Sequence, residues 1–324
     1  MPSASAAATA SPNIALIKYW GNRDEALRLP SNGSISLTLA GLTCRTAVSF
    51  EADLPADVLT VNGATETPAG TERVSRHLDL IRAQAGLRLP ARVESQTDFP
   101  AATGLASSAA AFAALTLAAA SAAGLDLPPR ELSRLARRGS GSACRSIFGG
   151  YVEWRASDSD AQSIAEPLAP PDHWHLVDVV AIVSADPKAI GSTEGHRLAA
   201  TSPLQASRVA DAPRRLSLCR EAILRRDFEG LAAVCELDSN WMHAVMLTSR
   251  PALIYWLPAT LAVMHAVAEL RRSGVPVFYT IDAGPNVHCL TPVEAHAAVA
   301  ERLRAVVGVR QLLLAHPGGP AVLV

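Results

Sequence analysis

Four short stretches of the sequence combine residue types that bind anions or act on hydroxyl groups. They are rich in serine and glycine, carry a lysine or arginine, or place a carboxylate after an apolar run, and they read PAATGLASSAA (100–110), GSGSACRSIFGG (139–150), NIALIKYWGNRDE (13–25) and TIDAGPNVHCL (280–290). Open backbone N–H groups and cations hold phosphates, and a carboxylate can orient a hydroxyl or accept its proton. Each stretch also has a simpler structural explanation.

The stretch 100–110 has the composition of a phosphate cradle. Gly104 allows a tight turn, and Ser107 and Ser108 fall in the first turn of an alanine-rich helix. Small side chains leave the first N–H groups of that helix open, and the helix dipole favours an anion there. The pattern GxxxxGK[ST] is absent, so a buried helix with a serine N-cap stays the alternative.

The stretch 139–150 offers a second anion site. Two Gly-Ser pairs supply hydroxyls and open amides, and Arg145 supplies a planar fork of donors that matches a carboxylate or a phosphate. A flexible turn with a surface arginine explains the same residues. Two such sites in one chain favour a phosphorylated ligand more than either does alone.

Lys18 and Asp282 both stand where an apolar strand ends. Alternating apolar residues predict a strand that leads to Lys18, with Tyr19 and Trp20 beside it and Gly21 turning the chain. The lysine either reaches water or faces an acidic ligand. Asp282 follows the run VPVFYTI, so it is a candidate catalytic group or a turn-capping residue.

The elements that must position these residues belong to a mixed α+β fold. Strands are predicted at NIALIKYW, SISLTLAGL, TCRTAVSFEA, VLTVNG, LPARVESQT, YVEWRA, VDVVAIV, VPVFYTI and QLLLAHP. Helices are predicted at TERVSRHLDLIRAQAG, PPRELSRLARRG, PLQASRVADAPRRLSLCREAILR, LPATLAVMHAVAELRRSG and EAHAAVAERLRAVVG. A proline-rich seam predicts two domains, 1–177 and 178–324, and the residues before Asn13 are expected to be a loose end.

Composition excludes several classes of function. The chain has 324 residues and a net charge of −1, so nothing in its global balance favours nucleic acid. Five scattered cysteines without a CxxC pair suit a reduced cytoplasmic protein rather than a zinc site. The uncharged run 99–125 is long enough for a bilayer, but alanine, serine and glycine dominate it, so we expect no membrane span.

With these stretches in view, the sequence resembles the diphosphomevalonate decarboxylases of the GHMP kinase superfamily. The resemblance runs from Asn13 to about Asn286 and rests on the four stretches together with RRGSGSACRSIFGGYVEW and SADPKAIGSTEGHR. It implies a ribosomal protein S5 domain 2-like N-terminal domain and a ferredoxin-like α+β C-terminal domain, with the active site between them. It also implies that ATP phosphorylates the C3 hydroxyl of a 5-phosphorylated mevalonate, after which phosphate and CO₂ leave. The expected requirements are ATP and Mg²⁺, without identified metal ligands, in a cytoplasmic homodimer.

The resemblance assigns roles to individual residues. The catalytic group is Asp282, Lys18, Arg145 and Ser107. Arg145 would fix the substrate carboxylate, and Asp282 would orient the C3 hydroxyl or take its proton. The substrate-binding group is Tyr19, Trp20, Asn22, Ser140, Gly141, Ser142, Ser192 and Arg197, and the ATP-binding group is Gly104, Leu105, Ala106, Ser107, Ser108 and Lys188.

One position departs from the family pattern. Asn22 stands where the family usually has lysine, and Glu194 adds an acid to the stretch that faces the substrate phosphates. Losing a cation from a diphosphate pocket removes charge-assisted hydrogen bonds of about 1.5–3 kcal/mol each. Mevalonate 5-phosphate and its 5-diphosphate are therefore both candidate substrates, and Arg23, His196 or Arg197 could replace the missing charge.

Two other functions compete with decarboxylation. A kinase that stops at 3-phosphorylation would release ADP without CO₂, and a non-catalytic ligand sensor would release neither. The presence of Asp282, Lys18 and Arg145 together favours the complete reaction.

Overall fold

The computed structural model of the chain describes residues 5–99, 107–186, 188 and 190–324. Its strands are β1 (Ser5–Ala10), β2 (Asn13–Ile17), β3 (Asn22–Asp24), β4 (Leu29–Pro30), β5 (Ser34–Ala40), β6 (Cys44–Phe50), β7 (Val58–Val61), β8 (Ala64–Thr65), β9 (Ala91–Thr97), β10 (Tyr151–Trp154), β11 (Ala165–Ala169), β12 (Leu176–Ile182), β13 (Phe278–Thr280), β14 (Val287–Pro292), β15 (Gln311–Pro317) and β16 (Val322–Leu323). Its α-helices are α1 (Pro68–Ala85), α2 (Ser107–Ala122), α3 (Pro129–Gly139), α4 (Ala143–Ser146), α5 (Ser192–Leu198), α6 (Gln205–Arg225), α7 (Phe228–Thr248), α8 (Pro258–Arg272) and α9 (His296–Arg304). The mixed α+β class expected from the sequence is confirmed.

The first sheet holds the helices that carry the small-residue motifs. Its strand order is β16-β1-β6-β9-β7-β8, and α2 packs across β1 and β6. The alanines of α2 have no side chain beyond Cβ, which lets the helix lie close to the sheet; Ala113, Ala114 and Ala118 are fully buried in this core. Within the described residues, no helix has both the length and the apolar character needed to cross a membrane.

The second sheet contains strands from both halves of the chain. Its order is β11-β10-β5-β15-β12-β14-β13, with β2 also paired to β5. Strand β15 joins the halves, because it pairs with β12 along most of its length and with Leu39 and Ala40 of β5 at its end. Strand β16 likewise pairs with β1 in the first sheet. The domain division at residue 177 stays a prediction, and backbone pairing crosses it at both β15 and β16.

Helix α1 shows how local signals set element ends. Thr67 caps its start by accepting from the backbone N–H of Gly70, Pro68 occupies the first turn, and Gly86 ends it with φ of 63°. The predicted helix end at Gly86 is confirmed.

Several elements differ from the sequence-based expectation, and β1 and α7 are two of them. Residues 5–10 form strand β1, which pairs with β6 on one side and β16 on the other, rather than a loose end. The sequence of β1, SAAATA, has no clear alternation of apolar and polar residues, so the strand is recognised only from its pairing with β6 and β16. Helix α7 was not predicted because it is buried on several sides and carries polar residues (Asp238, Ser239, His243) in its buried face.

Candidate active site

A cavity of about 540 Å³ lies among the ends of β2, α2 and the segment after β13. Most of the predicted site residues that the structure describes line it: Lys18, Tyr19, Trp20, Ser107, Ser108, Ser140, Gly141, Ser142, Arg145, Lys188, Ser192 and Asp282. These residues come from both halves of the sequence. The fold therefore brings described residues from each of the four stretches together in one place.

The centre of the cavity is an ion pair between Lys18 and Asp282. Lys18 Nζ lies 2.5 Å from Asp282 Oδ1, and the lysine side chain is 1% exposed. The two residues are 264 positions apart in sequence. Each stands just after its strand, Lys18 after β2 and Asp282 after β13, as the sequence predicted.

Helix α7 holds both partners of this pair. Asp238 accepts a hydrogen bond from the backbone N–H of Lys18 at 2.6 Å, while the Ser239 hydroxyl accepts from the N–H of Ile281 at 2.9 Å. His243 Nε2 lies 3.3 Å from the carbonyl of Ile281. One helix thus fixes the backbone beside both the lysine and the aspartate, which sets the distance between them.

Asp282 is ionised at neutral pH. Burial raises the pKa of its carboxyl, but the charges of Lys18, His288 and Arg145 outweigh burial and hold the pKa below its ordinary value. A carboxylate with a lowered pKa is a weak base, although it is a good acceptor for a hydroxyl hydrogen bond.

Arg145 is buried, with 2% of its surface exposed. Its Nε and Nη2 donate to Asn13 Oδ1 at 3.2 and 3.0 Å, and its Nη1 donates to Ser34 Oγ at 2.6 Å. A guanidinium has five N–H donors, so two remain after these bonds. Among the residues that the structure describes, no carboxylate forms an ion pair with it. A neutral scaffold therefore holds a charged group at the cavity wall.

Tyr19, Trp20 and His196 form an aromatic wall. The His196 ring lies 4.2 Å from the Tyr19 ring and 4.6 Å from the Trp20 ring, measured between centroids. His196 Nδ1 accepts from the backbone N–H of Gly21 at 2.9 Å. Burial lowers the pKa of His196 to about 3, so this ring is uncharged at neutral pH.

The small residues of α2 and of the 139–150 stretch meet across the cavity. The hydroxyls of Ser108 and Ser140 lie 3.2 Å apart. Gly141 packs against Tyr19 so closely that a Cβ there would come within 2.4 Å of the ring. Glycine is needed at that position for the tyrosine to approach.

Lys188 approaches the same cavity from the C-terminal half. Its Nζ donates to the carbonyl of Ala283 at 2.6 Å and lies 3.5 Å from Ser192 Oγ. Burial lowers the pKa of Lys188, and the carboxylate of Asp282 opposes that shift.

Two predicted binding residues lie off the cavity wall. The amide of Asn22 accepts from the Tyr19 hydroxyl and donates to Glu25 at 3.0 Å. Arg197 is 58% exposed and pairs with Glu194 and Glu25 instead. Gly104, Leu105 and Ala106 lie outside the described residues.

Two arginines of the cavity wall, Arg28 and Arg73, belong to none of the four motif groups that predicted site residues. Arg73 donates to the carbonyl of Gly139 at 3.0 Å, and burial together with the charges of Arg28 and Arg76 lowers its pKa to about 10. Arg73 belongs to the predicted helix α1, but helical periodicity alone does not tell which charged face meets a ligand.

Comparison with known proteins agrees with this arrangement. The family model for the diphosphomevalonate decarboxylase-like N-terminal domain matches residues 10–165, and that for the mevalonate 5-diphosphate decarboxylase C-terminal domain matches residues 178–315. The chain belongs to the diphosphomevalonate decarboxylase family. The resemblance seen in the motifs is thereby confirmed.

Individual members of the family match nearly the whole chain. A diphosphomevalonate decarboxylase of Aspergillus fumigatus is 41% identical over 94% of this chain and 80% of its own length. The human diphosphomevalonate decarboxylase is 38% identical over 90% of this chain and 77% of its own length.

Solved structures of the family have the same fold. The mevalonate diphosphate decarboxylase from Staphylococcus aureus matches with a TM-score of 0.94 and 36% identity over 99% of this chain and 98% of its own. A structure of MDDEF in complex with MVAPP, AMPPCP and magnesium matches with a TM-score of 0.94 and 39% identity over 99% of both chains. The GHMP kinase fold expected from the sequence is confirmed.

The family motifs did not reveal the network that supports Lys18. Arg208 Nη2 donates to the carbonyl of Lys18 at 2.8 Å, and Asn32 Nδ2 donates to the same carbonyl at 3.0 Å. Arg208, Arg215 and Asp238 are all fully buried, and Arg215 Nε lies 2.7 Å from Asp238 Oδ1. Helix α6 carries many charged residues, and their pattern in the sequence does not show that Arg208 and Arg215 face the core.

Proposed function

We propose that this chain decarboxylates a 5-phosphorylated mevalonate with ATP, by phosphorylating the C3 hydroxyl and then eliminating phosphate and CO₂. The main observation in support is the ion pair between Lys18 and Asp282 at 2.5 Å, which lines the same cavity as the buried Arg145. The reaction has three requirements, and each of these groups meets one of them. Asp282 orients the C3 hydroxyl, Lys18 balances the charge that develops on its oxygen, and Arg145 holds the substrate carboxylate.

The aspartate acts on the hydroxyl as an acceptor. Because the pKa of Asp282 is lowered, its carboxylate is available at neutral pH to hold the C3 O–H in line with the incoming phosphoryl group. Its low basicity favours orientation over early proton removal. The same negative charge stabilises positive character at C3 as phosphate departs.

Arg145 and Lys18 fix the rest of the substrate. The two remaining donors of Arg145 can hold the substrate carboxylate in a bidentate bond, which aligns the breaking C–C bond with the leaving phosphate. Lys18 stays beside the C3 oxygen through its ion pair with Asp282.

The opposite end of the cavity fits a nucleotide. Apolar side chains suited to a base line it: Leu59, Val61, Val74, Val93, Phe112 and Leu115. Ser107, Ser108 and Lys188 lie on the cavity wall as partners for phosphates. The serines are at the start of α2, where the helix dipole also favours anions.

The acidic groups fit a magnesium ion held mainly by the nucleotide. No group of three or more His, Cys, Asp or Glu side chains in the described parts of the chain could hold a metal. Mg²⁺ commonly binds one or two carboxylates together with substrate phosphates, and it would neutralise phosphate charge during transfer. Asp282 and Glu66 are the carboxylates on the described part of the cavity wall, and Asp282 is paired with Lys18.

The diphosphate is the leading substrate because the related proteins are diphosphomevalonate decarboxylases. Mevalonate 5-phosphate is the second candidate, and Asn22 is the observation that favours it. Its uncharged amide is held between Tyr19 and Glu25, so this position offers no positive charge to a second phosphate.

A product assay tests the proposal. Release of ADP and of CO₂ is followed with mevalonate, its 5-phosphate and its 5-diphosphate in parallel. We expect equal amounts of both products with at least one phosphorylated substrate. ADP without CO₂ indicates a kinase, and no turnover with any of the three indicates a ligand sensor; either result contradicts the proposal.

We also propose a reducing compartment such as the cytoplasm and a homodimeric assembly. The five cysteines are all buried and unpaired, which supports the first point. The dimer rests on resemblance to the family, and light scattering after gel filtration measures it.

A further inference from the structure

The phosphorylated end of the proposed substrate requires a cation near Tyr19 and Ser140. Asn22 carries no charge, and three neighbours were candidates to replace it. Arg23 pairs with Asp158 and donates to the carbonyl of Pro30 at 3.2 Å, away from the cavity wall. None of the residues that Arg23 contacts lines the cavity.

The other two candidates also fail on charge or position. His196 lines the cavity, but burial keeps its ring uncharged at neutral pH. Arg197 is exposed, and its charge is shared between Glu194 at 3.3 Å and Glu25 at 3.7 Å. The required charge must come from another residue.

Arg28 has the position and the free charge. It lines the cavity, is half-buried, and donates from Nε to the carbonyl of Arg138 at 3.1 Å. That carbonyl immediately precedes Gly139 and Ser140, so the anchor places Arg28 beside the small-residue stretch. Within residues 5–99, 107–186, 188 and 190–324, no carboxylate forms an ion pair with Arg28.

The electrostatic neighbours of Arg28 agree with this position. Burial raises the pKa of the Tyr19 hydroxyl, and the Arg28 charge is the largest influence that opposes it. Arg28 also helps to lower the pKa of His196, after burial. Its guanidinium therefore acts on two of the three rings of the aromatic wall, Tyr19 and His196.

The backbone of Arg28 is unusual as well. Its φ is 50°, in the left-handed region that costs energy for a residue with a Cβ and favours glycine or asparagine. Such conformations persist where the surrounding structure enforces them, and they concentrate at functional sites.

We propose that Arg28 supplies the positive charge that binds the phosphorylated C5 end of the substrate, compensating for the uncharged Asn22. This assignment rests on the proposed function and names the group that determines specificity at that end. The side chain stays fixed through Nε, which leaves its terminal nitrogens for phosphate oxygens.

The variant Arg28→Asn tests the proposal without straining the backbone, because asparagine tolerates a positive φ. We expect the KM for the phosphorylated substrate to rise about 10- to 150-fold, the loss of one charge-assisted hydrogen bond. The KM for ATP should stay within about twofold and kcat should change much less than KM, as for a pure binding contact. Arg23→Asn is the matched control and should leave both constants unchanged.

A double variant adds a rescue. Asn22→Lys introduced into Arg28→Asn should recover most of the lost affinity, because it returns a cation to the same end of the cavity. If Arg28→Asn does not fold, Arg28→Lys and Arg28→Gln give the same comparison, since they share the backbone requirement and differ in charge.

The outcomes separate this proposal from the proposed function. A wild type that turns over no mevalonate derivative contradicts the function itself. An active wild type whose Arg28→Asn variant keeps the substrate KM within twofold contradicts only the role of Arg28. A rise confined to the KM for ATP assigns Arg28 to the nucleotide and overturns the proposal in the same way.

Discussion

Two groups of cations differ in how their charge is balanced: one holds the backbone of Lys18, and the other lines the cavity that Lys18 faces. In the buried arginine network, Arg208 and Arg215 share Asp238, at 3.8 and 2.7 Å. The cavity cations are Arg28, Arg73, Arg145 and Lys188. In the described portion of the chain, none of these four forms an ion pair with a carboxylate.

The difference indicates what each group does. A fully buried arginine without a partner is strongly destabilising, so the network contains its own counter-charge and serves to fix the Lys18 backbone. Arg28, Arg73 and Lys188 are only half-buried beside the cavity, so they keep contact with water and can stay unpaired until an anionic ligand arrives. Arg145 is buried, and the neutral acceptors of Asn13 and Ser34 hold it at the cavity wall. Lys18 lies between the groups, because the network holds its backbone and its ammonium faces the cavity.

Removing the carboxylate that Lys18 contacts should have the largest effect. Asp282→Asn removes the negative charge that balances Lys18 and replaces the carboxylate acceptor of the C3 hydroxyl with a weaker, neutral amide oxygen, so we expect kcat to fall about 10³-fold or more. Nucleotide affinity should change less than about threefold, because the phosphate-binding residues are untouched. Single-turnover kinetics and equilibrium binding measure the two quantities; substantial residual turnover contradicts the assigned role.

Breaking the buried arginine network should mainly reduce stability. Asp238→Asn removes the charge that Arg208 and Arg215 share, and we expect the free energy of unfolding to fall by about 3–5 kcal/mol. Glu269→Gln, in an exposed pair with Arg302, is the control and should cost less than about 1 kcal/mol. Urea denaturation compares them, and equal losses would erase the distinction between buried and exposed pairs.

Burial lowers the pKa of three histidines, and the two that lie one near each group, His77 and His243, show how stability should depend on pH. Burial lowers the pKa of both to about 3, with the charges of Arg73 and Arg138 adding for His77 and that of Lys18 for His243. The unfolded chain binds these protons below about pH 6.5, so stability is retained above that pH and falls as pH decreases.

By pH 5 we expect each histidine to have reduced the free energy of unfolding by about 2 kcal/mol. Urea titrations at pH 7.5 and pH 5 measure the loss. His77→Gln keeps a hydrogen-bond donor for the Thr116 hydroxyl. It should reduce the difference in the free energy of unfolding between pH 7.5 and pH 5 by about 2 kcal/mol, the contribution of one histidine. An unchanged difference means that His77 is already protonated or exposed in the folded state.

Adding a cation to the cavity should have the smallest effect. Asn22→Lys is expected to shift the ratio of kcat/KM toward diphosphomevalonate by about tenfold, the worth of one added charge-assisted contact. Asn22→Met introduces a side chain about as long as lysine but without charge, so it controls for the loss of the asparagine amide. An unchanged ratio in both variants removes Asn22 from substrate selection.

The sequence by itself determined the local elements and the identity of most cavity residues. Alternation predicted β2 and β5, and Gly86 predicted the end of α1, because these signals depend on neighbours within a few positions. The start of α1 lies at Pro68, three residues before the predicted Thr71. The motifs identified Lys18, Arg145 and Asp282 as a set. Asn22 and Arg197 were assigned to the cavity from their motifs, yet the structure directs their side chains to Tyr19, Glu25 and Glu194.

Only the tertiary structure decided which charges are paired and which are open to a ligand. Strand β1 exists through partners at 44–49 and 322–323, and Asp238 meets Lys18 across 220 positions of sequence. Arg28 looks like any turn arginine until the fold places it on the cavity wall. Such contacts depend on long-range packing. Burial keeps the His196 ring uncharged, whereas the nearby charges of Lys18 and Arg145 keep Asp282 ionised in spite of its burial.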